Sequence, residues 1–169
     1  MTLMQDGETW EKRLAALPVE TYAAGETIVS EGTKTGRLFI LKGGAVSVVK
    51  SGTEIAAVSQ PGAVFGELSA LLNQPHSADV RALEDCEFHV ADAATLLGQD
   101  PAALLYVTMV LAERLDAANR AFLELKNQIA SGEPPGLIDE TLDKIEGLLS
   151  AIGTGFIRAG AGYAGFPYT

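Results

Sequence analysis

Between Tyr22 and Val90, short β-branched and aromatic runs are cut by glycine at close intervals, at Gly25, Gly32, Gly36, Gly43, Gly44, Gly52, Gly62 and Gly66. This punctuation constrains the fold more than any other feature of the chain. It is the sequence form of a small antiparallel barrel or jelly roll, whose tight corners need positive φ. Two turns are readable. Lys42-Gly43-Gly44 separates LFIL from AVSVV, and Ser51-Gly52 separates AVSVVK from TEIAAV, the second a two-residue hairpin signal. One stretch breaks the strand pattern: GELSALLN, Gly66 to Asn73, places Leu68, Leu71 and Leu72 on one helical face. A short helix is expected there, ended by Pro75, before SADVRA resumes as a strand.

The flanks are helical. Glu8 to Leu17 reads as a short helix carrying Trp10, Leu14 and Leu17, closed by Pro18. Asp100 is a good N-cap, Pro101 suits a first turn, and no further proline or glycine follows until Gly132. Along that helix Leu104, Thr108, Leu111, Leu115, Ala118, Phe122, Leu125 and Ile129 recur at alternating spacings of 4 and 3, a heptad seam. Extra apolar residues in its first part (Leu105, Val107, Met109, Val110) suit packing on the barrel. The seam has two readings, packing on its own barrel or pairing with a second subunit. Its continuation past the doubly apolar part favours pairing, with Leu111, Leu115, Ala118, Phe122, Leu125 and Ile129 as the dimer interface. SGEPPG then breaks the chain before a second amphipathic, acidic helix. The expected organisation is an N-terminal helical segment at 1–20, a β-roll at 21–99, the long helix at 100–130, the acidic helix at 137–152 and a glycine-aromatic tail at 153–169.

Charge and cysteine narrow the function classes. The formal net charge is −10, whereas gripping a nucleic acid or an anionic membrane surface needs clustered cations. The longest apolar stretch, AALLYVTMVLA, is far short of the ~20 residues of a membrane helix, and the N-terminal residues lack a signal-type apolar core. Cys86 is the single cysteine, so neither an internal disulfide nor an Fe–S or zinc-ribbon site is available from thiols. These readings lead to a cytoplasmic location with neither nucleic acid nor membrane as partner.

The most informative stretch is PGAVFGELSALLNQPHSADVRA, Pro61 to Ala82. Read physically, Gly66 permits close backbone approach of a ligand, and the N–H groups around Glu67, Leu68, Ser69 and Ala70 open a helix N-terminus suited to an anion. The Glu67 carboxylate can accept hydrogen bonds from two sugar hydroxyls, and Ser77 can add a donor. An anion site beside a diol acceptor is what a ribose phosphate requires. The alternative is that Glu67 only complements the helix dipole.

With AGE at Ala24 to Glu26, Glu31-Gly32, the LFILKGG strand and turn, the FGELSALL cassette and the long helix, residues 20–130 resemble the cyclic-nucleotide-binding domain of the catabolite-activator and cyclic-nucleotide-gated-channel superfamily. The resemblance implies a mainly β fold with α: an eight-stranded β-roll (jelly roll) with a phosphate-binding cassette, a long dimerisation helix and, here, a short C-terminal helix. It implies cAMP or cGMP as ligand, no other cofactor, and a site at Phe65, Gly66, Glu67, Leu68, Ser69, His76, Ser77 and Ala78, with Glu67 on the ribose 2′-hydroxyl. Many relatives continue into a DNA-reading winged helix. The 40 residues after Ile129 hold only Lys144 and Arg158 as cations, so no such module is expected.

One residue departs from the pattern. Binding members usually carry Arg before the Ser/Thr-Ala pair, and this chain has His76. A protonated His76 is a part-time replacement for the phosphate-pairing cation, since its reference pKa of ~6.5 leaves it mostly neutral at pH 7. Asp79 would further repel an anion if it faced the pocket. Enzymatic readings are weaker. Cys86 and His89 alternate on a strand, Cys86 as a small core residue and His89 as a solvated one, and do not make a metal site. A cupin-type centre needs two or three convergent histidines plus a carboxylate where this chain has only His76 and His89, and His76 cannot easily serve neighbouring Ser77 as a hydrolase base with Asp79. No catalytic or metal residues are assigned. Two functions stand: a non-enzymatic sensor, with weak or altered nucleotide binding, that signals through a protein partner; or a degenerate domain serving as a dimerisation or docking scaffold.

Overall fold

The structure, a computed structural model, describes residues 7–132; the helix expected at 137–152 and the tail at 153–169 lie outside the described residues. Helix α1 (Gly7–Ala15) is followed by β1 (Val19–Tyr22), β2 (Thr27–Val29), β3 (Arg37–Gly43), β4 (Val46–Lys50), β5 (Thr53–Val58) and β6 (Val64–Phe65). Helix α2 (Glu67–Leu72) interrupts the strands before β7 (Asp79–Ala82) and β8 (Cys86–Asp92), and α3 (Ala93–Gln99) and α4 (Pro101–Ser131) complete the element order. Every strand pairing is antiparallel. The strands form two four-stranded sheets, ordered β1-β8-β3-β6 and β2-β7-β4-β5. This is the β-roll expected from the glycine spacing.

The two readable turns do different work. At Ser51-Gly52, Lys50 faces Thr53 across a two-residue loop. Both central residues have positive φ, 50° and 81°, the backbone that matches strand twist in a tight hairpin. The Lys42-Gly43-Gly44 turn instead carries the chain from β3 in one sheet to β4 in the other. A Cβ at Gly44 would lie 2.6 Å from the Asp85 carbonyl oxygen, so this corner closes against the start of β8.

Strand β3 is buried on both faces and divides two cores. Phe39 and Leu41 point into the roll with Val46, Val80, Phe88 and Val90. Leu38 and Ile40 point outward, where Trp10, Ala93, Ala103, Tyr106, Val107 and Val110 cover them. Trp10 stacks on Tyr106 with ring centroids 4.8 Å apart, a geometry worth about 0.5–1.5 kcal/mol beyond the area buried. The Tyr106 hydroxyl donates to the Gly62 carbonyl at 2.7 Å, which fixes α4 against the turn that leads into the site.

Helix α3 has no counterpart in the sequence reading. It is only seven residues and contains Gly98, so its period is too short to stand out. Its start signal was present: the Asp92 side chain accepts from the Thr95 backbone N–H at 2.8 Å, a standard N-cap. Asp100 then caps α4 by accepting from the N–H groups of Ala102 and Ala103. It also pairs with Arg13 of α1, so one carboxylate ties α1 to the start of α4. α3 and α4 meet at a bend of 106°.

Candidate functional site

Helix α2 starts where β6 ends, at Gly66, whose φ is +87°. A Cβ there would sit 2.5 Å from the Arg37 carbonyl oxygen and 3.6 Å from His76 Cε1. Glycine is therefore required twice, by backbone conformation and by the approach of β3. The helix is amphipathic the wrong way round. Its buried residues are Glu67 and Ser69, while Leu68, Leu71 and Leu72 are exposed. The leucine face that marks the helix in the sequence is not the face that enters the protein. Ser69 donates its hydroxyl to the Gln74 carbonyl at 2.6 Å, tying the helix to the loop that follows.

Glu67 is 4% exposed. Arg114 Nη1 of α4 donates to Glu67 Oε1 at 2.6 Å, and Arg114 Nη2 donates to the Val64 carbonyl at 2.8 Å. Burial pushes the Glu67 pKa up from its ordinary value, and the Arg114 charge and hydrogen bond act against that rise. An arginine on a long, mostly exposed helix is ordinarily a solvated charge. Arg114 is instead held inside the site, and its position in the helix register signals this. Arg114 continues the 4-and-3 register of Ala103, Val107, Val110, Ala117 and Ala121, all buried.

Between α2 and the β-roll lies a cavity of about 250 Å³. Phe65, Gly66, Glu67, Leu68, Ser69, His76, Ser77 and Ala78 all line it, together with Arg114 and an apolar wall from Val29, Val48, Ile55, Ala56, Val58, Val64 and Val80. His76 is 5% exposed and its Nε2 lies 2.9 Å from Thr35 Oγ1. Its backbone is held as well, donating to the Thr33 carbonyl at 2.8 Å and accepting from Gly32 N–H at 2.9 Å. Burial lowers the His76 pKa, so the free protein holds this ring further from the imidazolium than the reference value implies.

The structure also decides where Asp79 faces, and it corrects the reading of His89. Asp79 does not line the cavity. It accepts from the Glu31 N–H at 2.7 Å and pairs with Arg81 at 2.6 Å, so these two charges satisfy each other beside the β2–β3 loop. His89 is not solvated. It shares the outward face of its sheet with its register partner Ile40, and it is 8% exposed. Burial lowers its pKa, opposed by a backbone contact to Leu17, and its Nδ1 has no hydrogen-bond partner among the described residues. Cys86 is a buried core residue, as read. Among the described residues no three His, Cys, Asp or Glu side chains converge as metal ligands.

The heptad seam of α4 lies one residue further along than the buried stripe, which places it about 100° around the helix. Leu115, Phe122 and Ile129 are 63%, 68% and 64% exposed, Leu104 and Leu123 are also exposed, Ala118 is exposed, and Leu111 and Leu125 are partly buried.

Compared with known proteins, residues 19–98 match the family described as "Cyclic nucleotide-binding domain". This segment belongs to that family. Within it, the chain is similar to a cAMP-dependent protein kinase regulatory subunit of Yarrowia lipolytica, 32% identical over 90 residues. That alignment takes in 53% of this chain and 24% of the relative. A cGMP-dependent protein kinase of Eimeria tenella is 41% identical over 69 residues, covering 41% of this chain and 7% of the kinase. The chain thus spans about a quarter or less of these relatives' length. Among solved structures, the N-terminal domain of a transcriptional regulator from Streptomyces coelicolor A3(2) superposes with a TM-score of 0.53 at 26% identity, covering 69% of this chain and 85% of that one. The cyclic nucleotide-binding domain accounts for the β-roll and α2, and α4 follows it. No single helix among the described residues is long and apolar enough to cross a membrane.

Proposed function

We propose that this chain is a non-enzymatic, cytoplasmic sensor that takes a nucleotide-type ligand in the cavity under α2 and passes occupancy through α4 to a partner protein. The observation that carries this reading is the buried Glu67 in a mostly apolar cavity, ion-paired to α4 through Arg114. A carboxylate placed there costs desolvation energy that a merely structural helix start does not need. It is also the acceptor a ribose requires, and it joins the cavity wall to the long helix.

Cyclic nucleotide binding by this cavity is weak at neutral pH. The His76 position supplies no fixed cation, and a charged hydrogen bond contributes about 1.5–3 kcal/mol, or about 10–100-fold in affinity. Calorimetry with cAMP and cGMP on the wild type and His76→Arg, at pH 6 and 8, tests this. The arginine variant should bind at least tenfold tighter and without pH dependence. Wild-type affinity should rise toward low pH, and the lowered His76 pKa displaces that rise below ~6.5. Tight wild-type binding, equal at both pH values and unimproved by arginine, would overturn the reading. The exposed Leu115, Phe122 and Ile129 face supports pairing of two copies along α4. The same face favours the second reading, a dimerisation scaffold whose cavity takes no nucleotide.

A further inference from the structure

We infer that His89 is a pH-sensitive latch for the N-terminal helix: the neutral imidazole seats α1 on the outer core, and protonation of the ring releases it. The latch does not depend on what occupies the cavity under α2.

The niche around the ring carries this inference. His89 is 8% exposed. Its register partners are Ile40 on β3 and Val19 on β1, neither of which brings a polar side chain to it. Its Nδ1 has no hydrogen-bond partner among the described residues. The other ring nitrogen, Nε2, is left to donate to the Leu17 backbone, in the connector between α1 and β1. The next carbonyl, that of Pro18, accepts from the Val90 N–H at 2.8 Å, so β8 holds this connector at two successive residues. A neutral ring, with a single N–H, suits the niche. An imidazolium does not, because it adds an N–H at Nδ1 with nothing to accept it and a charge in apolar surroundings.

The neighbouring charges do not remedy this. Glu87 of β8 and Lys42 of β3 act on the ring with opposite signs and pair with each other at 3.1 Å. Glu20 of β1 pairs with Arg37. On α1, Glu11 and Lys12 are exposed and Arg13 pairs with Asp100. Glu113 of α4 acts on Tyr106. Strands β3 and β8 are fixed in a long ladder, so the part that can yield is α1. It has nine residues, fewer than the ~12–15 at which an isolated helix is even marginal in water, and it keeps its shape only while docked. Its anchor is Trp10, buried and stacked on Tyr106. With α1 released, His89 meets water and regains the basicity of a free imidazole, near ~6.5, whereas burial lowers it in place. Acid therefore favours the released helix below ~6.5.

Trp10 is the single tryptophan, so its fluorescence in the full chain reports on α1. The test is an emission titration from pH 8 to pH 5, with far-ultraviolet circular dichroism alongside and hydrogen exchange at pH 7.5 and 5.5. The expected result is a red shift below ~6.5 with the strand signal kept, and loss of amide protection in α1 but not in β3 or β8. His76→Gln, which removes the other histidine, should keep the shift. His89→Leu should abolish it, and His89→Gln should do the same if the leucine variant does not fold. A constant wild-type emission maximum, a shift that survives in a folded His89 variant, or one that His76→Gln removes would each overturn the latch. So would a shift that arrives together with loss of the strand signal, since that reports global unfolding.

Discussion

Arg114→Ala should destabilise the protein in a pH-dependent way. Glu67 is 4% exposed, and among the described residues Arg114 is the side chain that pairs with it. Removing one partner of a buried ion pair typically costs about 3–5 kcal/mol, because the other charge stays behind uncompensated. In a chain of this size that corresponds to about 6–20 °C in Tm. The pH dependence follows from the direction of the Glu67 shift. Burial raises its folded pKa above 4.5 and Arg114 opposes the rise, so the alanine variant raises it further. A carboxyl group whose folded pKa exceeds its unfolded one costs no stability below the unfolded value. The cost grows as pH climbs through the folded value and is then constant. The deficit of the variant relative to wild type should be largest at pH 8 and shrink toward pH 5, where Glu67 can take up a proton. Replacing both partners, as in Glu67→Gln with Arg114→Met, should recover most of the loss. Urea denaturation at both pH values measures this. A deficit below about 1 kcal/mol at pH 8, the size of a surface pair, or one that does not change with pH, would refute the buried-pair argument.

Tyr106→Phe should cost about 1–2 kcal/mol, since it strands the buried Gly62 carbonyl that the hydroxyl now satisfies at 2.7 Å; the urea midpoint reads this directly, and an unchanged midpoint would count against the contact. His76 and His89 both have lowered folded pKa values, so the unfolded chain binds more protons and stability should fall as pH drops below ~6.5. His89→Asn should flatten that fall in a pH series of thermal melts, and an unaltered slope would show that His89 stays neutral without cost. Phe122→Glu should convert a dimer paired along α4 into a monomer, because it places a charge in the seam; a wild type already monomeric in sedimentation at about 10–100 μM, the range of weak association, would remove the basis for pairing.

Much of the architecture was legible because it is local. Glycine spacing, the Ser51-Gly52 hairpin and the Asp100-Pro101 start of α4 each depend on a few adjacent residues, and each appears where the sequence places it. The cassette residues were legible as a contiguous stretch, and the fold brings Phe65–Ser69 and His76–Ala78 to one cavity. Polarity of burial was not legible. The alternation of β8 put Cys86 and His89 on opposite faces correctly. Whether the second face meets water depended on the helices laid over it, including Trp10 of α1 and Tyr106 of α4.

The chain by itself thus determined the roll, the short helix within it and the long helix after it, because backbone conformation, caps and periodicity act over a few residues. Tertiary structure alone decided which residues face the cavity and in which direction burial shifts their titration. Glu67 and Arg114 are 47 residues apart, and no spacing rule joins them. α2 turns its leucines outward and its carboxylate inward where α4 presents the Arg114 guanidinium, itself held by the Val64 carbonyl of β6. The same burial that encloses His76 with Thr35 withholds its proton. A histidine that reads in sequence as a part-time stand-in cation is, in the folded protein, a buried wall of the site that takes up a proton less readily than a free imidazole.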